Sequence, residues 1–263
     1  MVIFAILPIF ATSMGMVDKI EKVEQVLKRS QLGRLIYSPM RYLKGHLHLR
    51  LFYARNGKEM PVRINILTGH KMKLLLPAGM DIYLFGCKTH ASEIRLSKFL
   101  CKNLLPGQVF YDVGAHFGFY SLLAAALVGE KGKVFSLEAS KKSFDVLEDN
   151  LKMSNAFAFN LAAAERSGPM TFFEYPLLFS EYNSAVDHAP ADVPAPAEVV
   201  VDAVSLNDFS REHMPPNLIK IDVEGGEADV IKGMQQLLQQ HAPVVVMEFD
   251  PFNKKTFDAH LKA

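Results

Sequence analysis

The sequence is poor in the features that mark several large protein classes. It has two cysteines in 263 residues, Cys87 and Cys101, both in or beside apolar segments and without Cys-x-x-Cys spacing. That argues against a disulfide framework or a zinc site, so both read as buried thiols and no metal is expected. Neither sign of charge is in excess: 29 Lys and Arg against 28 Asp and Glu leave a net charge of +1. A nucleic-acid binder would carry a basic field, so small-molecule chemistry is the better expectation. A membrane-spanning run is lacking too. Residues Met1 to Met16 are apolar around Pro8 but contain no Lys or Arg and are short for a span. Ala11-Thr12-Ser13 offers the small residues of a cleavage site, yet a true start at Met14 or Met16 is favoured. The expectation is a cytoplasmic protein without stable membrane insertion.

What is present is a change of period along the chain. From Val17 to Leu35, apolar residues at Val17, Ile20, Val23, Val26 and Leu27 recur at helical spacing. Between His46 and Lys88 the pattern alternates: Leu47, Leu49 and Leu51, then Val62, Ile64 and Ile66, then Met72, Leu74 and Leu76. Asn56-Gly57 and Thr68-Gly69 separate these runs, which predicts a small β-meander. A helix from Ala91 to Leu105 ends at Pro106-Gly107. Strands and helices then alternate, with strands at Val109–Val113, Val134–Glu138, Phe157–Ala162, Leu218–Val223 and Val244–Phe249. Helices are predicted at Gly118–Val128, Lys141–Ser154 and Gly225 to about Gln239, with a short one at the chain end. This order predicts a doubly wound, mostly parallel sheet in residues 90–263, capped by a helix and meander in residues 1–89. Met170–Tyr175 and Val199–Val204 read as further extended pieces. Pro176, Pro190, Pro194 and Pro196 make the stretch from Pro176 to Ala197 a long loop, a candidate lid; its Ser184, Asp187 and His188 are candidates to touch an acceptor, although such residues are more often simply exposed polar groups of a loop.

In such a sheet, ligands bind beyond the carboxyl ends of the strands, where strand order reverses. The first strand ends in Asp112 and opens through Gly114 and Gly118 into a helix, a turn that lets backbone approach a bulky ligand. The second ends in Glu138, the third in Asn160-Leu161-Ala162, and the fifth in Glu248. The fourth alternates Ile219, Ile221 and Val223 with Lys220, Asp222 and Glu224, putting three ionisable groups on one face. Glu138 lies twenty residues beyond Gly118, the separation at which an acid grips the ribose hydroxyls of a nucleoside. A dinucleotide fingerprint wants glycine where this chain has His116, which weighs against NAD and towards a cationic sulfonium nucleoside.

Together, Asp112-Val113-Gly114-Ala115-His116-Phe117-Gly118, Glu138, Asn150 with Asn155, Leu161-Ala162-Ala163 and Lys220-Ile221-Asp222-Val223-Glu224-Gly225-Gly226-Glu227 resemble an FkbM-type methyltransferase. The resemblance runs from about Ala91 to Asp250. It implies the Rossmann-like class I fold, S-adenosylmethionine as cofactor, and O-methylation of a hydroxyl on a sugar, glycolipid or polyketide-like acceptor. His116 stands where the family most often has Asn. Class I methyltransferases usually add an antiparallel strand pair after the fifth strand, and that pair is expected to be missing here.

On this reading Asp112 and Gly114 meet the amino-acid end of the cofactor, Gly118 belongs to the same cofactor-binding turn, His116 contacts the cofactor or fills a polar gap beside it, Glu138 holds the ribose, and Ala162 with Asn160 lies beside the adenine. Asp222 is the expected catalytic or acceptor-orienting carboxylate, since an acid within reach of an alcohol takes its proton as it attacks. Lys220 pairs with the acids, and Glu224 completes the catalytic group. Glu227 opens a helix, where an acid is favoured by the dipole in any case. A magnesium or calcium cluster of Asp222, Glu224 and Glu248 is conceivable, but nothing in the spacing demands an ion. Two rivals remain: a nicotinamide oxidoreductase on a similar sheet, and a non-catalytic binding protein that kept the fold.

Overall fold

The computed structural model of the protein describes residues 7–28, 37–185 and 193–247. Helix α1 (Leu7–Leu27) is followed by a helical segment that begins with α2 (Pro39–His48), widens through a π turn at Leu49–Tyr53 and ends at Ala54–Asn56. A hairpin of β1 (Met60–Asn65) and β2 (Lys71–Leu76), then α3 (Met80–Phe85) and α4 (Ala91–Asn103), lead into the main sheet. Its strands are β3 (Val109–Val113), β4 (Lys133–Leu137), β5 (Ala156–Phe159), β9 (Leu218–Ile221) and β10 (Val244–Met247), in the order β10-β9-β3-β4-β5, all parallel. This is the Rossmann-like doubly wound arrangement. Helices α5 (Phe119–Val128) and α6 (Lys141–Asn150) follow β3 and β4. A second sheet, β6 (Ala162–Ala163), β7 (Gly168–Glu174) and β8 (Ala197–Val204), lies between β5 and α7 (Leu206–Glu212) in the chain.

The central strand shows why the sheet is buried on both faces. All five residues of β3 are buried, and alternate side chains enter different cores. Phe110 packs with Leu122, Val134 and Leu218 beneath α1, α4 and α5, in a core that also takes Ile64, Met72 and Leu74 of the hairpin. Val109, Tyr111 and Val113 join Phe135, Ile219, Phe209 and Val230 on the other face. Helix α5 is apolar on all sides because it is enclosed, with Leu122, Leu123 and Ala124 fully buried. Both cysteines are free and buried, and burial pushes the Cys87 thiol up to about 12 and Cys101 up to about 11. Among the described residues, no helix is long and apolar enough to cross a membrane.

The three-strand meander is corrected to a two-strand hairpin. Leu47, Leu49 and Leu51 are helical. Residues 37–56 contain no Val, Ile or Thr, the β-branched residues that favour strands, whereas Leu, Met, Arg and Ala favour helix. Pro39 starts the helix at a position that needs no amide donor. The Tyr42 and His46 rings then meet at 4.2 Å, one helical turn apart. Gly57, read as a hairpin turn, is instead left-handed (φ 61°) and ends the helix.

Three further boundaries differ. The third strand stops at Phe159, and Ala162–Ala163 joins the second sheet, in which Met170 and Val201 pair antiparallel. The predicted Gly225–Gln239 helix divides into α8 (Glu227–Lys232) and α9 (Gln235–His241). The break falls at Gly233, where a Cβ would lie 2.1 Å from the Ala164 carbonyl oxygen. The expected lid begins with a 3-10 helix, Leu177–Tyr182. Asp187, His188, Glu248, Phe249, the predicted final helical stretch, and the part of the amino-terminal helix in 29–36 lie outside the described residues.

Candidate active site

Strand order reverses between β3 and β9, and a cavity of about 780 Å³ opens over their carboxyl ends. Six residues singled out in the sequence line it: Gly114, His116, Glu138, Ala162, Asp222 and Glu224. Asp112, Gly118 and Lys220 do not, and the reason lies in the register. Asp112 stands opposite Lys220 on one side and Ser136 on the other. All three are buried, on the face covered by α5. Ser136 donates to the Ser121 hydroxyl (2.8 Å), Ser121 donates to Asp112 Oδ2 (2.6 Å), and Lys220 Nζ lies 3.3 Å from Asp112 Oδ1 and 3.2 Å from Asp222 Oδ2. A polar chain therefore runs through the sheet beneath the cavity and surfaces at Asp222. Burial opposes the charge on Lys220, but Asp222 and Asp112 outweigh it and raise the ammonium above its ordinary range.

Lys220 also shapes the glycine turn, donating to the Gly114 carbonyl at 2.7 Å. Gly114 is left-handed (φ 75°), and a Cβ there would lie 1.8 Å from the Asp222 carbonyl oxygen. Gly118, also left-handed, begins α5 with a Cβ position 2.6 Å from Leu147. His116 is left-handed as well (φ 50°), a conformation that Asn, Asp and His enter more readily than other side chains. This gives a backbone reason for His or Asn at the position. Its ring stacks on Phe117 with centroids 3.8 Å apart, and Nε2 lies 3.2 Å from the Ser180 hydroxyl. Burial first, then Lys88 and Lys220, pulls its pKa down to about 3, so the imidazole is neutral at pH 7.

Glu138 accepts from the amides of His116 (2.7 Å) and Ser140 (3.0 Å), which ties the end of β4 to the glycine turn. Burial raises its carboxyl to about 7 despite those two bonds. Asn160 donates to the Glu138 and Ala139 carbonyls and fixes the neighbouring strand end. Beyond β9, Glu224 is left-handed (φ 52°), so it continues no strand face. Its carbonyl and that of Val223 accept from the buried Ser184 hydroxyl, which is thereby turned into the fold rather than towards an acceptor. Glu227 accepts from the amides of Val223 and Gly225, closing this turn.

The sequence reading missed one wall. Asp81 of α3, Lys88 and His90 of the loop that follows, and Glu93 in the first turn of α4 line the cavity. Lys88 Nζ lies 2.6 Å from Glu93 Oε1. Burial lowers the Lys88 pKa, but Asp81 and Glu93 together bring it above the ordinary value. Burial raises the Asp81 carboxyl. No spacing signals this group, because only the packing of α3 and α4 beside the glycine turn brings it to the sheet.

Sheet order and cavity together define a Rossmann-like α/β protein with a ligand cleft at its switch point. The family model described as Methyltransferase FkbM domain matches residues 112–262, more than half of the sequence, and the chain belongs to that family. It is similar to hexuronic acid methyltransferase AglP of Haloferax volcanii, 28% identical over 142 residues, covering 52% of this chain and 54% of AglP. It is also similar to methyltransferase sdnD of Sordaria araneosa, 27% identical over 164 residues, covering 51% of this chain and 63% of sdnD. The match thus spans less than two thirds of either relative. Among solved structures, methyltransferase FkbM of Methylobacillus flagellatus aligns at a TM-score of 0.38 and 16% identity, covering 64% of this chain and 41% of that one.

Proposed function

We propose that the protein is an S-adenosylmethionine-dependent O-methyltransferase. The observation that carries this reading is the meeting, in one cavity at the switch point, of the glycine turn, Glu138 and Asp222. The residues suit the cofactor. Glu138 offers a carboxylate for ribose hydroxyls, and Leu137, Leu161 and Ala162 give an apolar wall for a purine. Asp222 and Glu224 supply negative charge for a sulfonium. His116 presents a side chain where a dinucleotide needs close backbone approach, which counts against the nicotinamide reading.

The cofactor, when bound, supplies an electrophilic methyl group. The chain's part is to hold the acceptor hydroxyl in line and remove its proton. Asp222 is the group for the second task, since it is half-buried on the cavity wall and held by Lys220. The neutral His116 and the partly buried Asp81 line the same cavity, and positioning is the larger contribution to rate. A sugar hydroxyl is the favoured acceptor class, because AglP is named for a hexuronic acid. Calorimetric titration with S-adenosylhomocysteine tests the assignment, with saturable binding expected. Absence of binding, or binding of NADH in its place, overturns it.

A further inference from the structure

The helical segment 39–56 is turned inside out. Its inward side is Gly45, whose Cβ position lies 2.7 Å from Met80 Sδ, together with the buried His48. Its outward side carries Met40, Leu43, Leu47 and Leu51, spaced three or four residues apart and therefore aligned in one stripe. Met40 is 78% exposed and Leu43 63%. Exposed Lys44 and Arg55 flank the stripe on one side, and exposed Arg50 flanks it on the other. From Gln25 to Lys58 the sequence has eight Lys or Arg and no Asp or Glu, although the whole chain is nearly neutral.

An apolar stripe between basic flanks is the pattern of a helix lying in a bilayer interface, with the leucines at the acyl boundary and the cations at the headgroups. Charge selects this occupant. A second copy of the chain would bring two acid-free basic faces together, whereas an anionic lipid surface neutralises them. We propose that the outward face of residues 39–56 docks the protein on an anionic phospholipid bilayer. This is peripheral binding and needs no spanning helix. The surface is also close to the cavity. Arg41 donates to the Tyr83 carbonyl of α3, whose Asp81 and Ile82 line the cavity. The Tyr53 hydroxyl accepts from the amide of Leu178, another lining residue.

The test is sedimentation of the full chain with phosphatidylcholine vesicles, with and without one quarter phosphatidylglycerol, beside the double variants Leu43→Ser/Leu47→Ser and Lys44→Glu/Arg50→Glu. These side chains are exposed, so thermal melts of the variants should match the parent. The expected result is binding to the anionic vesicles, weakened at least about tenfold by either double variant and by 0.5 M salt. Three outcomes overturn the proposal: no binding to anionic vesicles, binding that both variants retain, or a dimer by light scattering that Leu43→Ser/Leu47→Ser abolishes without vesicle binding. The last would assign the stripe to self-association.

Discussion

Gly114 and Asp222 are packed backbone to backbone, so closely that a single methyl group at residue 114 would fall 1.8 Å from the Asp222 carbonyl oxygen. The glycine turn and the acidic strand end are thus one unit, although 108 residues separate them. Gly114→Ala is expected to destabilise the fold by about 3 kcal/mol or more, through overlap and its positive φ. Gly15→Ala, inside α1 with open space around it, is expected to stabilise by about 0.5–1 kcal/mol. Chemical denaturation of the two variants reads the contrast.

Lys220 is the cation paired with the buried Asp112, and it stands between that carboxyl and Asp222 at the cavity. Lys220→Met is expected to cost about 3–5 kcal/mol, since it removes one partner of a buried ion pair and leaves the Asp112 carboxyl buried without a cation. Asp112→Asn/Lys220→Met should recover part of that loss. A double-mutant cycle showing no coupling would mean that the two groups do not act as a pair.

Asp222→Asn should lower turnover by about 10²–10⁴ while leaving S-adenosylhomocysteine affinity within about threefold. Stability should change little, because the carboxylate is one-third exposed and its bond to Lys220 is replaceable by water. Full turnover in this variant would remove Asp222 from the chemistry.

His116 and Glu138 give opposite pH slopes. The His116 pKa is depressed in the fold to about 3 from 6.5, so its stabilising contribution is complete above about pH 6.5 and declines as pH falls towards 3. Glu138 is raised to about 7 from 4.5, so its contribution is complete below about pH 4.5 and declines as pH rises through 7. His116→Asn keeps a side chain that tolerates the left-handed backbone and should flatten the acid slope. His116→Val should cost about 1–2 kcal/mol at neutral pH. Melting temperatures from pH 4 to 8 distinguish these cases.

If Glu138 binds ribose as a carboxylate, cofactor-product affinity should increase as pH rises through about 7. Glu138→Gln should bind more weakly and lose that dependence. Calorimetry at pH 6, 7 and 8 measures both.

The parallel sheet was legible because its strands are short apolar runs with acids at their ends, and five of them fell where β3, β4, β5, β9 and β10 stand, give or take the end residues. Six of the nine site residues reached the cavity for the same reason: strand ends in this topology converge. What alternation does not encode is which side of a buried strand faces the cavity, so the pattern points Asp112 and Lys220 at it whereas register places them beneath it. Leu47, Leu49 and Leu51 misled because a two-residue alternation over so short a run also contains the four-residue repeat of a helix. The group of Asp81, Lys88 and Glu93 had no local pattern at all.

Asn150 carries a further consequence. Its side chain accepts from the Lys73 amide and donates to the carbonyls of Lys73 and Phe117, bonding the early hairpin and the turn above β3 at once. The hairpin is therefore a splint for that turn rather than a detachable ornament. Changes in β2 should be felt in the grip on small molecules some forty residues later, through a single amide whose both ends are occupied.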